Sequence, residues 1–373
     1  MSVARPYNFS AGPAILPTSV FEETANAVRQ LNVQGDDSLE AKLSILEISH
    51  RSKTFDAIHN EAISLVHEVL GVPDAYEVLL LQGGASLQFA MVPMNLGVAG
   101  KPGAYVDTGA WSAKAIKESK GLGETAVIAS SKESGYDHIP ARDSWADYSG
   151  ASYLHVTSNN TIYGTEFAEL PDSGDVPLIV DFSSNIGSRT MKLDRVSLGY
   201  AGAQKNLGPS GVTLVFARKE LLARDAPGYV PTILRYGTHV EKNSLFNTPN
   251  TFGILVLRNV LRWVRQCGGV EAVGKINAAK AGKLYAALDG SSLYAAHAKD
   301  GSRSNMNVTW TLAGDDDGEK TKAFLAAAAK AGLSGLKGHR SVGGCRASIY
   351  NAFPEDGVDS LVAFMQEFER TQG

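Results

Sequence analysis

Short apolar runs alternate with helical periods along the first two thirds of the sequence. The runs contain β-branched or aromatic residues and lie at 77–81, 103–106, 153–156, 178–180 and 212–216. The segment 55–70, before the first run, has apolar residues at helical spacing. This alternation predicts an α/β fold with a mostly parallel central sheet flanked by helices on both faces. Such sheets bind ligands beyond the carboxyl ends of their strands, so we expect functional residues just after the apolar runs.

The pattern changes after Pro249. Beyond it the sequence predicts one long helical stretch over 252–288, a helix over 319–331, a strand over 345–350 and a helix over 358–368. A chain of 373 residues is too long for one small core. We therefore predict a large domain over 16–265 and a smaller C-terminal α/β domain over 266–373, with the segment 1–15 packing near the smaller one.

The composition excludes several classes of protein. The 35 Lys and Arg against 39 Asp and Glu do not favour a nucleic-acid binder. No apolar run approaches the roughly 18 residues that a membrane span needs, and the first residues do not resemble a secretory signal. We therefore expect a cytoplasmic protein without nucleic-acid or membrane partners. Cys267 and Cys345 lack His or Cys companions at zinc spacing, so we expect no metal site.

Two titratable residues suggest a cofactor. Asp181 directly follows an apolar run, although an isolated Asp in such a place more often caps a helix or a turn. Lys205 lies in a glycine-rich segment, 199–211, which predicts a loop. Its small neighbours would let a flat ligand approach the backbone; they are Gly202, Ala203, Gly208 and Gly211. A lone lysine is usually solvated, so Lys205 is informative only in combination with Asp181.

Pyridoxal phosphate requires this combination. Its aldehyde takes a lysine amine, and its ring nitrogen takes an acidic partner so that the ring can accept electrons. Trp111 could cover the ring. The backbone amides of Ala85 and Ser86, at a predicted helix start, could bind the phosphate. A Trp alone is more often a core residue and a Gly-Gly pair more often a turn, but the order of these features along one chain is specific.

Longer motifs show a resemblance to a known family. They are NFSAGP at 8–13, EISHRS at 47–52, QGGA at 82–85, GAWS at 109–112, GAQKN at 202–206, FNTP at 246–249 and GHRSVGGCRASIYN at 338–351. Over essentially its whole length the chain resembles the phosphoserine aminotransferases, a class V group of the fold-type I pyridoxal-phosphate enzymes. The Ser-His-Arg motif is shared with other class V members. The stretch HRSVGG at 339–344 distinguishes the phosphoserine enzymes.

The resemblance implies roles around the cofactor. Lys205 would form the Schiff base and shuttle protons, Asp181 would pair with the pyridine nitrogen, and Trp111 would stack on the ring. The ring substituents and the phosphate would be held by Ala85, Ser86, Thr161 and Gln204. Asn247 and Thr248 would reach the phosphate from the neighbouring subunit, which implies a homodimer with two shared active sites.

The resemblance also implies a substrate pocket. Arg51 would hold the substrate α-carboxylate. The substrate phosphate, or the side-chain carboxylate of glutamate, would lie among His50, His339, Arg340 and Arg346. Arginine suits such anions because its fork donates two parallel hydrogen bonds. Arg340 or Arg346 alone would more often be a surface residue, but the two together with His339 in a glycine-rich loop favour an anion site. His50 could instead be an interface histidine.

Ser86 departs from the family pattern. Many members carry an arginine after Gly-Gly-Ala, where this chain has Ser86. The missing charge affects the substrate-phosphate pocket but not Lys205 or Asp181, so transamination should remain. Lys53, two residues after Arg51, could supply part of that charge.

The expected reaction is reversible transamination between O-phospho-L-serine and 2-oxoglutarate, with ping-pong kinetics. The family commonly also handles 4-phosphohydroxy-L-threonine, which would add a role in pyridoxine biosynthesis to that in serine biosynthesis. The nearest alternative is another class V enzyme, a serine–glyoxylate or alanine–glyoxylate aminotransferase. A cysteine desulfurase is disfavoured because Cys345 lies in a predicted strand. A nucleotide-binding dehydrogenase is disfavoured because no G-x-G-x-x-G motif opens a βαβ unit in this sequence. A non-catalytic binding protein is disfavoured because it would not need Lys205, Asp181 and Trp111 together.

Overall fold

Helices and strands alternate along most of the chain. The computed structural model describes residues 5–33 and 35–372. The helices are α1 (Thr18–Arg29), α2 (Lys53–Leu70), α3 (Gly84–Leu96), α4 (Ala110–Leu122), α5 (Lys219–Leu222), α6 (Tyr236–Glu241), α7 (Thr251–Gln266), α8 (Gly269–Asp289), α9 (Glu319–Lys330) and α10 (Glu355–Gln372). The strands are β1 (Tyr7–Asn8), β2 (Tyr76–Leu81), β3 (Gly103–Asp107), β4 (Thr125–Ser130), β5 (Tyr153–Thr157), β6 (Asn159–Asn160), β7 (Thr165–Glu166), β8 (Leu178–Asp181), β9 (Leu198–Gly202), β10 (Thr213–Arg218), β11 (Tyr294–Ala296), β12 (Asn307–Leu312), β13 (Leu333–Ser334) and β14 (Cys345–Ser348). Within the described ranges, none of the helices combines the length and the apolar character that crossing a membrane requires.

Seven strands form the central sheet, in the order β2-β10-β9-β8-β5-β3-β4. Strand β10 runs antiparallel to both of its neighbours, and the remaining neighbouring pairs are parallel. The prediction of a mostly parallel sheet flanked by helices is therefore confirmed. Asp107, Thr157 and Asp181 are the last residues of β3, β5 and β8, so their side chains lie at the carboxyl edge where such sheets bind ligands.

Strand β9 lies where the glycine-rich sequence predicts a loop. It pairs with β8 on one side and β10 on the other, with Gly199 opposite Phe216. A Cβ at Gly199 would lie 2.3 Å from the Phe216 ring, so this glycine leaves room for a large neighbouring side chain rather than breaking the strand. Lys205 follows shortly after the end of β9, at Gly202, and this places it at the edge of the sheet.

The helical stretch predicted over 252–288 is two helices. Helix α7 ends at Gln266 and α8 begins at Gly269. Gly268 and Gly269 have φ of 93° and 79°. A left-handed backbone cannot continue a right-handed helix, so the chain changes direction there.

Apolar side chains cover both faces of the central sheet. Phe55 and Val66 of α2 belong to the cluster on one face, together with Leu257 of α7. Phe89 of α3 and Ile116 of α4 belong to the cluster on the other. Helices therefore bury the sheet on both faces, as its apolar strands require.

A third cluster of buried apolar residues, separate from the two on the sheet, draws most of its members from the range 281–368. Phe9 and Ile15 belong to it, and β1 pairs in parallel with β13. The described part of the N-terminal segment thus packs against the C-terminal part of the chain, whereas residues 1–4 lie outside the described residues. The division into domains at 265 and 266 stays a prediction.

Candidate active site

Lys205 and Asp181 belong to one site. Asp181 ends β8, and Lys205 follows β9, which is the neighbouring strand. The two residues are 9% and 5% exposed, respectively. The Asp181 charge raises the pKa of Lys205, and the Lys205 charge lowers the pKa of Asp181. The tertiary structure therefore brings the predicted amine and the predicted carboxylate together.

The amine of Lys205 is buried and held by a hydroxyl group. Burial lowers the pKa of Lys205 to about 8; the Asp181 charge opposes this shift and the Arg346 charge adds to it. The Nζ atom donates a hydrogen bond to Thr161 Oγ1 at 2.7 Å. An amine with this pKa is partly deprotonated near neutral pH and can act as a nucleophile.

Asp181 is fixed by the backbone that follows its strand. Its Oδ1 accepts a hydrogen bond from the Ser183 backbone N–H at 2.8 Å. Burial raises the pKa of Asp181, whereas the hydrogen bonds from Ser183 and the charge of Lys205 lower it.

Trp111 lies beside the lysine amine. Its ring centroid is 5.7 Å from Lys205 Nζ. The next residue, Ser112, donates a hydrogen bond to Asp107 Oδ1 at 3.0 Å, and the Tyr136 hydroxyl donates to Asp107 Oδ2 at 3.1 Å. This network fixes the start of α4 to the end of β3 and thereby positions Trp111.

The turn before α3 depends on glycine. Gly83 and Gly84 have φ of 90° and 66°, and a Cβ at Gly83 would lie 2.4 Å from Leu87 Cδ2. No side chain caps the start of α3, so its first backbone N–H groups can bind an anion such as phosphate. Ala85 is half-buried and Ser86 is exposed in this first turn. Their contact with a cofactor phosphate stays a prediction.

Arg346, the second residue of β14, reaches the site after a tight glycine loop. The Gly338 backbone N–H donates to the Gly344 carbonyl at 2.9 Å, and a Cβ at Gly338 would lie 1.9 Å from the Gly343 oxygen. Only glycine allows this close approach. Arg346 is half-buried, and its Nη1 donates to the Thr161 carbonyl at 3.5 Å. The arginine therefore lies beside the threonine that also contacts the lysine amine.

Positive charge gathers around His339. Burial lowers the pKa of His339, and the charges of Arg346, Arg340 and Lys114 lower it further. None of these three cations forms an ion pair with a carboxylate of the described residues. The structure thus joins three of the predicted anion-binding residues and adds Lys114, which the sequence analysis did not name.

Within the described residues, no hydrogen bond or ion pair joins His50 or Arg51 to this cluster. They precede Ser52, whose hydroxyl caps the start of α2. His50 is partly buried and Arg51 is exposed. No hydrogen bond or ion pair of the described residues links either one to Lys205. Their roles stay predictions, as does that of Lys53, which is exposed at the first position of α2.

Asn247 and Thr248 are exposed on the segment before α7. The Thr248 carbonyl accepts a hydrogen bond from Gln82 Nε2 at 2.8 Å, which places this segment beside the turn that starts α3. Gln204 is half-buried, and its carbonyl accepts from the Ala14 backbone N–H at 2.9 Å. The cofactor contacts of Asn247, Thr248 and Gln204 stay predictions.

Sequence reasoning missed two residues near the site. Asp107 anchors the helix that carries Trp111, and its position directly after an apolar run was the available signal. Lys114 gave no such signal, because it lies among other lysines, Lys117 and Lys120, on a helix that resembles a solvated surface. Only the folded arrangement distinguishes Lys114 from its neighbours.

The donor set of the site fits pyridoxal phosphate. Lys205 offers an amine for the aldehyde, and Asp181 offers a buried carboxylate for the ring nitrogen. The indole Nε1 of Trp111 is buried without a hydrogen-bond partner among the described residues, which suits a site completed by a polar ligand. The uncapped start of α3 offers backbone donors for the phosphate. Across the described ranges, no group of three or more His, Cys, Asp or Glu side chains could hold a metal ion.

Comparison with known proteins identifies the family. The family model described as aminotransferase class-V matches residues 6–361. The phosphoserine aminotransferase of Geobacillus kaustophilus is 52% identical over 367 residues, which cover 98% of this chain and 99% of that protein. The solved phosphoserine aminotransferase from Bacillus circulans subsp. alkalophilus has a TM-score of 0.93 and 47% identity, with 100% of each chain covered. The pyridoxal-phosphate-bound phosphoserine aminotransferase from Trichomonas vaginalis has a TM-score of 0.89 and 36% identity, covering 97% of this chain and 100% of that one. This chain belongs to the class V aminotransferases and, among them, to the phosphoserine aminotransferase family.

Proposed function

We propose that this chain reversibly transfers the amino group of O-phospho-L-serine to 2-oxoglutarate, giving 3-phosphohydroxypyruvate and L-glutamate. One observation carries the proposal: the buried amine of Lys205 lies close to the Asp181 carboxylate and to the charge of Arg346. The amine and the carboxylate suit pyridoxal-phosphate chemistry. The cation suits a substrate that carries a phosphate or a second carboxylate. The reaction would serve serine biosynthesis.

The residues around Lys205 would divide the work of the reaction. Bound pyridoxal phosphate supplies an electron sink that stabilises negative charge at the substrate α-carbon. Lys205 would hold the cofactor and, once released, move the proton of the α-carbon. Asp181 would hold a proton on the ring nitrogen by its charge, and Trp111 would cover the ring and exclude water. The hydroxyl of Thr161, 2.7 Å from the Lys205 amine, would keep that amine oriented.

The cations of the C-terminal part would bind the far end of the substrate. Arg346 and Arg340 can each donate two parallel hydrogen bonds to a phosphate or a carboxylate. His339 lies in their field, and its pKa is lowered, so its neutral ring would add a hydrogen-bond donor rather than another charge. Arg51 would bind the α-carboxylate, as the family resemblance implies.

We also propose a homodimer in which Asn247 and Thr248 of one copy contact the cofactor phosphate held by the other. Both residues are exposed beside the turn that starts α3. Sedimentation of the purified protein should give twice the monomer mass. The change Thr248→Ala should weaken cofactor retention without dissociating the dimer; retention equal to that of the unchanged protein would contradict this role.

The proposed function is tested first at Lys205. The change Lys205→Ala should abolish turnover, because it removes both the attachment point of the cofactor and the group that moves the proton. It should also remove the visible absorbance of the bound cofactor in its lysine-attached form. Lys192→Ala, a change at an exposed lysine, is the control and should leave both unchanged. Steady-state turnover in Lys205→Ala would refute the assignment.

Substrate preference separates this function from its nearest rival. Phosphoserine should shift the visible spectrum of the purified protein at concentrations at which serine does not. A serine–glyoxylate or alanine–glyoxylate aminotransferase would respond to the unphosphorylated substrates equally well. The same experiment with 4-phosphohydroxy-L-threonine tests the proposed second role, in pyridoxine biosynthesis. The cytoplasmic location expected from the sequence stays a prediction.

A further inference from the structure

Lys114 lies one turn beyond Trp111 on the same helix. Its Nζ atom is 4.2 Å from the centroid of the Trp111 ring, and Lys205 Nζ is 5.7 Å from that centroid. The cation–π contact holds the exposed end of the Lys114 side chain against the indole. A second amine therefore contacts the same indole ring as the reactive lysine.

Lys114 also faces the cations of the C-terminal part. Its charge lowers the pKa of His339, as do the charges of Arg340 and Arg346. Trp111 and Val342, a residue of the loop that carries His339, both pack against one cluster of buried residues, Tyr136, Ile162 and Tyr163. Lys114 therefore lies near the anion-binding loop, which is the loop before β14 that contains His339, Arg340 and Val342. Lys114 itself belongs to α4.

The cluster formed by Lys114, Arg340 and Arg346 carries uncompensated positive charge. No carboxylate of the described residues lies within ion-pair distance of any of the three. Like charges that converge without a partner repel one another, and a bound anion relieves that repulsion. A phosphate monoester, with about two negative charges near neutral pH, relieves it more than a single carboxylate does.

We propose that Lys114 is a specificity-determining residue that binds the phosphate of the substrate together with Arg340 and Arg346. The inference rests on the proposed function and deepens it. Lys114 supplies a cation in a pocket where this chain has Ser86 after Gly-Gly-Ala instead of an arginine. Lys53 is less suited to that task, because it opens α2, and within the described residues no hydrogen bond, ion pair or cation–π contact joins it to Trp111 or to His339, Arg340 and Arg346.

The test compares three variants of the holoenzyme. Lys114→Met keeps the unbranched stem against Trp111 and removes the charge. Lys114→Arg keeps the charge, and Lys117→Met removes an exposed charge from the next turn of the same helix. For each variant, kcat and KM are measured with phosphoserine and with serine, and inorganic phosphate is titrated as a competitive inhibitor.

The expected result is a split between KM and kcat. Lys114→Met should raise the KM for phosphoserine and the inhibition constant of phosphate roughly tenfold, as loss of one charge-assisted contact predicts. The kcat and the KM for serine should change less than about twofold, because the interaction is with the phosphate alone. Lys114→Arg should restore most of the affinity, and Lys117→Met should behave like the unchanged enzyme.

Three outcomes would overturn the inference. The first is an unchanged KM for phosphoserine in Lys114→Met, and the second is an equal rise for serine. The third is a fall in kcat alone, which would mean that Lys114 acts only by positioning Trp111. The unchanged enzyme distinguishes the two proposals. If it does not prefer phosphoserine over serine, the proposed function fails as well. If it does prefer phosphoserine and Lys114→Met keeps that preference, only the role of Lys114 is refuted.

Discussion

The amine of Lys205 is surrounded by groups that act on it in opposite directions. Burial and the charge of Arg346 favour its neutral form, whereas the charge of Asp181 favours its protonated form. The result is a pKa of about 8 instead of 10.5. The pKa of this lysine thus depends mainly on its burial in the folded chain, and one carboxylate and one guanidinium group from other segments adjust it further.

This balance predicts how the cofactor-free protein takes up pyridoxal phosphate with pH. The neutral amine is the nucleophile, so the rate should rise with pH and level off above about 8. Stopped-flow absorbance across pH 6 to pH 10, the range chosen here to bracket that pKa, measures the midpoint. Asp181→Asn should move the midpoint to lower pH, because it removes the charge that raises the pKa of Lys205. A rate that is still rising steeply at pH 10, as the ordinary pKa of 10.5 would give, would show that the lysine is not buried as described.

At the scale of elements, the site depends on how helices start. The beginning of α4 is fixed to the end of β3 by the hydrogen bond from Ser112 to Asp107, which positions Trp111. The beginning of α3 depends instead on two glycines in the left-handed region, Gly83 and Gly84. Helix α3 follows β2 and α4 follows β3, and these two strands run in the same direction, so small shifts in the first turn of either helix change what the carboxyl edge of the sheet can bind.

The change Gly83→Ala is therefore expected to affect cofactor binding. The new Cβ would lie 2.4 Å from Leu87 Cδ2 on a backbone with φ of 90°, so the first turn of α3 must shift. We expect a loss of stability of about 1–2 kcal/mol and weaker retention of pyridoxal phosphate in equilibrium dialysis. Gly121→Ala, in the last turn of α4 with no atom within 4 Å of the added Cβ, is the control and should be neutral or stabilising. Equal retention by both variants would contradict the prediction.

At the scale of the whole molecule, one buried lysine ties the C-terminal part to the active site. The Nζ atom of Lys280, in α8, donates hydrogen bonds at 3.2, 2.7 and 3.0 Å to the carbonyl oxygens of Ile349, Tyr350 and Phe353. The same segment contains Asn351, whose backbone N–H donates to Asn206 Oδ1 at 3.0 Å. Asn206 directly follows Lys205, so the segment that Lys280 holds also supports the catalytic loop.

Lys280→Met should therefore destabilise the protein. It would remove the Lys280 donor from three buried carbonyl oxygens, of which that of Tyr350 keeps the Phe353 backbone N–H, and we expect the free energy of unfolding to fall by about 3 kcal/mol. Urea denaturation of the holoenzyme measures the change. Lys283→Met on the same helix removes only exposed ion pairs, with Asp359 and Glu355, so it should cost about 0.5 kcal/mol or less. Equal midpoints for the two variants would show that the hydrogen bonds of Lys280 contribute little.

The sequence by itself determined the fold class and the chemistry. Apolar strands that alternate with helical periods leave few alternatives to a parallel sheet covered on both faces. Asp181 after a strand and Lys205 among small residues predicted the cofactor without any structure, because these signals depend on local order along the chain. The helices predicted over 55–70, 319–331 and 358–368 are present for the same reason.

Only the tertiary structure decided which surface residues belong to the site. Strand β9 contains glycines that predict a loop, and it forms because Phe216 fills the space that Gly199 leaves. The break between α7 and α8 depends on two backbone angles that the helical pattern does not encode. The charges of Lys114 and Arg346 both act on His339, although more than half of the chain separates these two residues in sequence. Periodicity reports on neighbours in sequence, whereas a pocket is made by neighbours in space, so a solvated-looking lysine gains a role only when packing brings other cations to it.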